Sequence, residues 1–167
     1  MKTKLTKLAL FGTVALFSNL GIAHNYLVET QAPAGYVHDL VMRVPHGCKG
    51  SAVNQVRIKM PEGVFRVTVE DRDDWEVTTT KRPVDPPAVG DGGQPITETV
   101  DEIMWSNPKR LLPADRTGEF KFRAKLPDEV GRVVFFRTLN TCVEGDDNYV
   151  DLPEEQLSLS DPEFHEK

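Results

Sequence analysis

The chain has 167 residues, 28% of them charged, and a formal net charge of −6. That length holds one domain. The acidic balance excludes nucleic acid and anionic lipid as partners bound by charge alone.

The first 23 residues read as an export signal. Lys2, Lys4 and Lys7 make a positive start, Leu8 to Phe17 is an apolar run, and Gly21 and Ala23 put small side chains before a cleavage point after Ala23. The apolar run is too short to span a bilayer, which takes roughly 20 residues. The alternative is a retained N-terminal anchor. Cleavage removes three lysines and no acids, so the mature chain is more acidic still. The expected location is periplasmic or secreted, with no membrane insertion of the mature chain.

Cleavage after Ala23 makes His24 the first residue. A terminal histidine carries two metal donors on one residue, its α-amino nitrogen and its ring Nδ1. The amine titrates near pH 8, so losing its proton costs little. Nitrogen donors in tetragonal geometry suit Cu(II), the divalent metal bound most tightly by such sites.

From His24 to Thr30 the chain reads as a first strand. Pro33 and Gly35 turn it. Residues 36–44 are strand formers, broken by Pro45 to Gly50. From Val53 to Met60 the chain alternates, with Val56, Ile58 and Met60 on one face and Arg57 and Lys59 on the other. Phe65, Val67 and Val69 alternate next, followed by a polar turn at Asp71 to Asp74 and a strand over 75–80. Residues 81–95, with four prolines and three glycines, predict an exposed loop or loose hairpin. Strands follow over 96–105 and 118–126, the second with Phe120 and Phe122 alternating against Lys121 and Arg123. The most apolar strand is expected over 132–142. After a turn, Tyr149 to Leu152 ends the fold, and the acidic tail from Pro153 reads as disordered. Eight or nine short strands without helical periodicity predict an all-β, single-domain β-sandwich over residues 24–152.

Cys48 and Cys142 read as a disulfide in an oxidising compartment. Closing so long a loop contributes on the order of 4 kcal/mol. Thiolate metal ligation is the weaker alternative, because two thiols oxidise there.

Several motifs belong together: Arg43-Val-Pro-His-Gly-Cys48, Ile103-Met-Trp105-Ser106, Gly118-Glu-Phe-Lys-Phe122, Leu126-Pro-Asp128, and Phe135-Phe136 followed by Asn140-Thr-Cys142-Val-Glu-Gly145. In combination they resemble the YcnI-like family of bacterial exported proteins, in one register from His24 to about Leu152. The resemblance implies an immunoglobulin- or cupredoxin-like β-sandwich that binds Cu(II) through a monohistidine brace. There the terminal histidine gives amine and ring nitrogens, a glutamate completes the coordination, and a tryptophan lies close by. On this chain the histidine is His24. Glu119 is the favoured glutamate, filling the acidic place before the aromatic, with Glu98 and Glu102 as runners-up. Trp105 is the candidate indole. The sequence departs from the family at Asn140, where glutamine is usual, and at Tyr149, where a later tryptophan is usual. It also has Ser106-Asn-Pro108 where Ser-Gly-Gly is common.

His46 is expected to hold its loop by a backbone hydrogen bond, and His38 and His165 to be bystanders. Trp75 and Trp105 are core anchors on area alone. A blue-copper carrier needs a free cysteine and two clustered histidines, and no hydrolase signature is present. The functional expectation is a non-enzymatic copper chaperone in copper trafficking. Periplasmic copper chaperones and copper-transporting membrane proteins are the partners implied by the resemblance. The alternatives are a β-sandwich interaction module with incidental copper binding, and a copper redox enzyme.

Overall fold

The structure, a computed structural model, describes residues 24–149, with backbone alone at 148 and 149. The export signal and the acidic tail lie outside the described residues. Among those residues there are nine strands and no helix. They are β1 (Tyr26–Leu27), β2 (Val37–Val44), β3 (Val53–Lys59), β4 (Phe65–Val69), β5 (Glu76–Val89), β6 (Pro95–Ser106), β7 (Gly118–Lys125), β8 (Thr138–Cys142) and β9 (Asp146–Tyr149).

Two sheets face each other. One has the order β1-β2-β7-β4 and the other β5-β6-β3-β8-β9, and every pairing is antiparallel. Alternation decides the layers, because successive side chains on a strand point to opposite faces. The first sheet sends Leu40, Met42 and Val44 from β2 and Phe120, Phe122 and Ala124 from β7 inward. The second answers with Val56, Ile58, Ile103 and Trp105, all fully buried. Phe120 sits between two indoles, edge-on to Trp75 at 5.4 Å and to Trp105 at 5.5 Å between ring centroids. The Cys48–Cys142 disulfide joins the loop after β2 to the end of β8, stapling one sheet to the other.

The strands differ from expectation in four places. Residues 81–89 are not a loop but one arm of a hairpin, the other alternative for this stretch: β5 runs to Val89, pairing Pro83 with Glu98 and Val89 with Pro95 across a register shift. The prolines are tolerated because β5 is an edge strand, where a missing N–H costs no ladder bond. Gly90 to Gln94 closes the hairpin through bonds from Gly90 N–H to the Gln94 carbonyl and from Gly93 N–H to the Gly90 carbonyl. Second, the apolar stretch 132–142 is strand only from Thr138 onward; Val134 and Phe136 instead pack against the core from an irregular segment. Third, the first strand shrinks to two residues. Finally, the last strand starts at Asp146, so the final turn is tighter than expected.

Candidate metal centre

The start of the described chain is held from inside the sandwich. The Asn25 amide donates to Thr138 Oγ1 at 2.8 Å and to Asn140 Oδ1 at 2.9 Å, and Asn140 Nδ2 donates back to Asn25 Oδ1 at 3.1 Å. Thr138 and Asn140 belong to β8 on the opposite sheet and are essentially inaccessible to solvent. Asn25 therefore points inward. The neighbouring residues alternate outward, and His24 is exposed.

On that outer face one rung crosses three strands. Tyr26 of β1 is opposite Arg43 of β2, and Arg43 is opposite Glu119 of β7. Arg43 Nη2 donates to Glu119 Oε1 at 2.5 Å, and its guanidinium carbon lies 5.9 Å from the Tyr26 ring centroid. Arg72 also approaches, donating to the Glu119 carbonyl while stacking 4.4 Å from the Phe120 centroid and 5.1 Å from that of Trp75. Its burial pulls the Arg72 guanidinium below its ordinary pKa, against the raising effect of the Glu119 charge. The hydrogen bond from Arg43 holds the Glu119 carboxyl below the usual carboxylate range, with the Arg43, Lys121 and Arg72 charges adding to the effect.

The other expected site residues are dispersed. Glu102 lies in the five-stranded sheet and accepts three hydrogen bonds from Arg57, at 2.8–2.9 Å. Glu98 is on the same strand, paired with Lys81 at 2.6 Å. Both are on the sheet opposite β1, so Glu119 is the candidate carboxylate that shares a sheet with β1. Trp105 is fully buried, and its Nε1 has no hydrogen-bond partner among the described residues. It lies inside the sandwich, whereas the Glu119 side chain faces out. His46 Nδ1 lies 2.7 Å from the Gly47 carbonyl, the loop-holding bond expected of it. His38 Nε2 contacts the Pro33 carbonyl at 3.0 Å. Tyr149 is described by its backbone only, opposite Thr138, and His165 is outside the described residues. The cysteines are joined, which removes thiolate ligation.

Among the described residues no three His, Cys, Asp or Glu side chains cluster as a metal site. A terminal brace does not need such a cluster, since one residue supplies two donors and one carboxylate suffices beside it. Glu119 lies on the outer face of the sheet that contains β1, two strands away from it with Arg43 between. An open groove of about 750 Å³ lies at the other end of the sandwich, lined by Met60, Gly63, Arg82, Val84 and Phe135 among others, and takes no part in such a brace.

Sequence reasoning missed Asn25, Arg43 and Arg72. Arg43 and Asn25 each had a signal: Arg43 falls on the outer alternation of its strand, and Asn25 is a polar residue on the inner one.

The fold and this face define an immunoglobulin-like β-sandwich in which the first described residues are tied into the sheets. The crystal structure of an uncharacterized protein from Nocardia farcinica, with an immunoglobulin-like fold, is similar to it with a TM-score of 0.56 at 18% identity, covering 78% of this chain and 86% of that one. The chain belongs to the DUF1775 family, a domain of unknown function, which it matches over residues 24–164. This is the family its motifs resemble under the name YcnI-like. Comparison with curated proteins gives no match.

Proposed function

We propose that this protein is exported, loses residues 1–23, and carries Cu(II) on a monohistidine brace made by His24 and completed by Glu119. It acts in copper trafficking as a metallochaperone, exchanging copper with other periplasmic copper chaperones or copper-transporting membrane proteins. The observation that carries this reading is the anchoring of Asn25 between the sheets. A brace needs a terminal residue held in place, and Asn25 fixes the chain one residue after His24. The family match supports it by beginning at residue 24, the first residue after the expected cleavage. One imidazole, one amine and one carboxylate leave coordination positions open for exchange, which suits hand-over better than turnover.

The test is a Cu(II) titration of the processed protein with electron paramagnetic resonance, beside a control carrying one extra residue before His24. One tetragonal site with nitrogen couplings, lost in the extended control, is the expected result. Equal binding by both proteins would place the ligands elsewhere.

A further inference from the structure

Two expected strands stop at the same rung. The apolar stretch 132–142 is strand only from Thr138, and Thr138 is the partner of Tyr149, where the described chain ends. Among the described residues the N–H groups of residues 133–137 donate to no backbone carbonyl, although these side chains favour strand. The same segment forms one wall of the open groove, through Arg132, Phe135 and Arg137. The groove lining holds four cations, Lys59, Arg82, Arg132 and Arg137, against the carboxylates of Glu62 and Asp85. Asp101 answers Lys59 at 2.9 Å and Arg82 at 3.5 Å, and Glu129 answers Arg132 at 3.3 Å. Arg137 is half-buried and has no ion pair among the described residues.

The sequence after Tyr149 has the complementary character. Residues 150–167 carry Asp151, Glu154, Glu155, Asp161, Glu163 and Glu166, with Lys167 as their one Lys or Arg. The family match runs to residue 164, so most of this segment belongs to the domain. β9 is antiparallel to β8, so the chain leaves Tyr149 in the direction that runs from Arg137 to Arg132. We propose that the groove is the docking surface of the chain's own acidic segment, residues 150–167, which continues β9 along residues 132–137 and lays its carboxylates on Arg132 and Arg137. Carried on unbroken, the register of β8 and β9 sets Leu152 opposite Phe135 and Glu155 opposite Arg132. Pro153 is tolerated there because β9 is the edge of its sheet. The segment is tethered at the groove's rim, so its effective concentration is on the order of mM and weak exposed pairs suffice to seat it. A partner's acidic peptide reaches the groove only by displacing it. The proposal is independent of the copper reading.

The experiment is NMR with amide hydrogen exchange on the processed, full-length, metal-free chain. The native protein is expected to show contacts between the Leu152 and Phe135 side chains and slowed exchange at residues 133–137. Arg132→Glu/Arg137→Glu speeds that exchange by roughly two- to fivefold, the scale of an exposed ion pair. Adding Glu154→Arg/Glu155→Arg to the same chain restores it, and high salt acts like the charge reversal. Thermal melts check that each variant is folded. Free exchange of these amides in the native chain, no contact between Leu152 and Phe135, or a charge reversal without effect overturns the proposal. Protection that rises with protein concentration overturns it by giving the groove to a second copy. Protection that appears only when an acidic peptide is added overturns it by giving the groove to a partner.

Discussion

Asn25 and Asn140, 115 residues apart, exchange hydrogen bonds through their side-chain amides across the two sheets, with Asn140 fully buried. The pair fixes the second residue of the expected mature chain from beneath, and leaves its first residue at the surface. Truncating one partner leaves a buried amide unsatisfied, which costs about 1–3 kcal/mol. Asn25→Ala is therefore expected to lower the free energy of unfolding by that amount in urea. It should also weaken Cu(II) binding, because His24 loses its anchor. A variant that binds copper as the native chain does would show the anchor to be purely structural.

Two of the three candidate glutamates, Glu102 and Glu119, separate by the kind of damage each causes. Glu102 is nearly buried and held by three bonds from Arg57, so Glu102→Ala is expected to cost about 1.5–3 kcal/mol of stability without changing copper affinity. Glu119 is exposed on the outer face, so Glu119→Gln is expected to leave the melting temperature nearly unchanged and weaken copper binding. Parallel chemical denaturation and copper titration of both variants decide the assignment.

Gly47 lies where a side chain has no room: an added Cβ would stand 1.9 Å from the Ser51 carbonyl oxygen. Gly47→Ala must push the loop beside the disulfide apart. The expected loss is about 1–3 kcal/mol, the scale of overpacking, read as a lowered thermal midpoint.

The Cys48–Cys142 bridge closes a separation of 94 residues and joins the two sheets. A Cys48→Ala/Cys142→Ala protein is expected to lose on the order of 4 kcal/mol in the chain-entropy account. Denaturant titration of this variant beside the oxidised native chain measures it.

Arg43 depresses the Glu119 carboxyl, so the sign of the pH effect follows. A carboxyl with a folded pKa below its unfolded one stabilises the fold above the unfolded value, near pH 4.3, and that contribution is lost as pH falls through the folded value. In the metal-free protein, carboxyl NMR should place the Glu119 titration below the usual range. Arg43→Gln should bring it back up. An unchanged midpoint in that variant would show that the ion pair does not persist in solution.

Much of the sandwich was legible in the sequence, because alternation is a local property: Val56 and Ile58 facing in, Arg57 and Lys59 facing out, and Phe120 and Phe122 against Lys121 and Arg123 are all as expected. The disulfide was legible too, since the chain has two cysteines and they have only each other. Three things were decided by tertiary structure. The proline-rich stretch became strand because β6 offered it an edge, and the apolar stretch before Thr138 stayed irregular although its residues favour strand. The rung of Tyr26, Arg43 and Glu119 depends on β2 lying between β1 and β7. A sequence states which way each side chain of a strand alternates, but pairing across 76 residues, as between Arg43 and Glu119, is a choice among partners that only the packed sheets make.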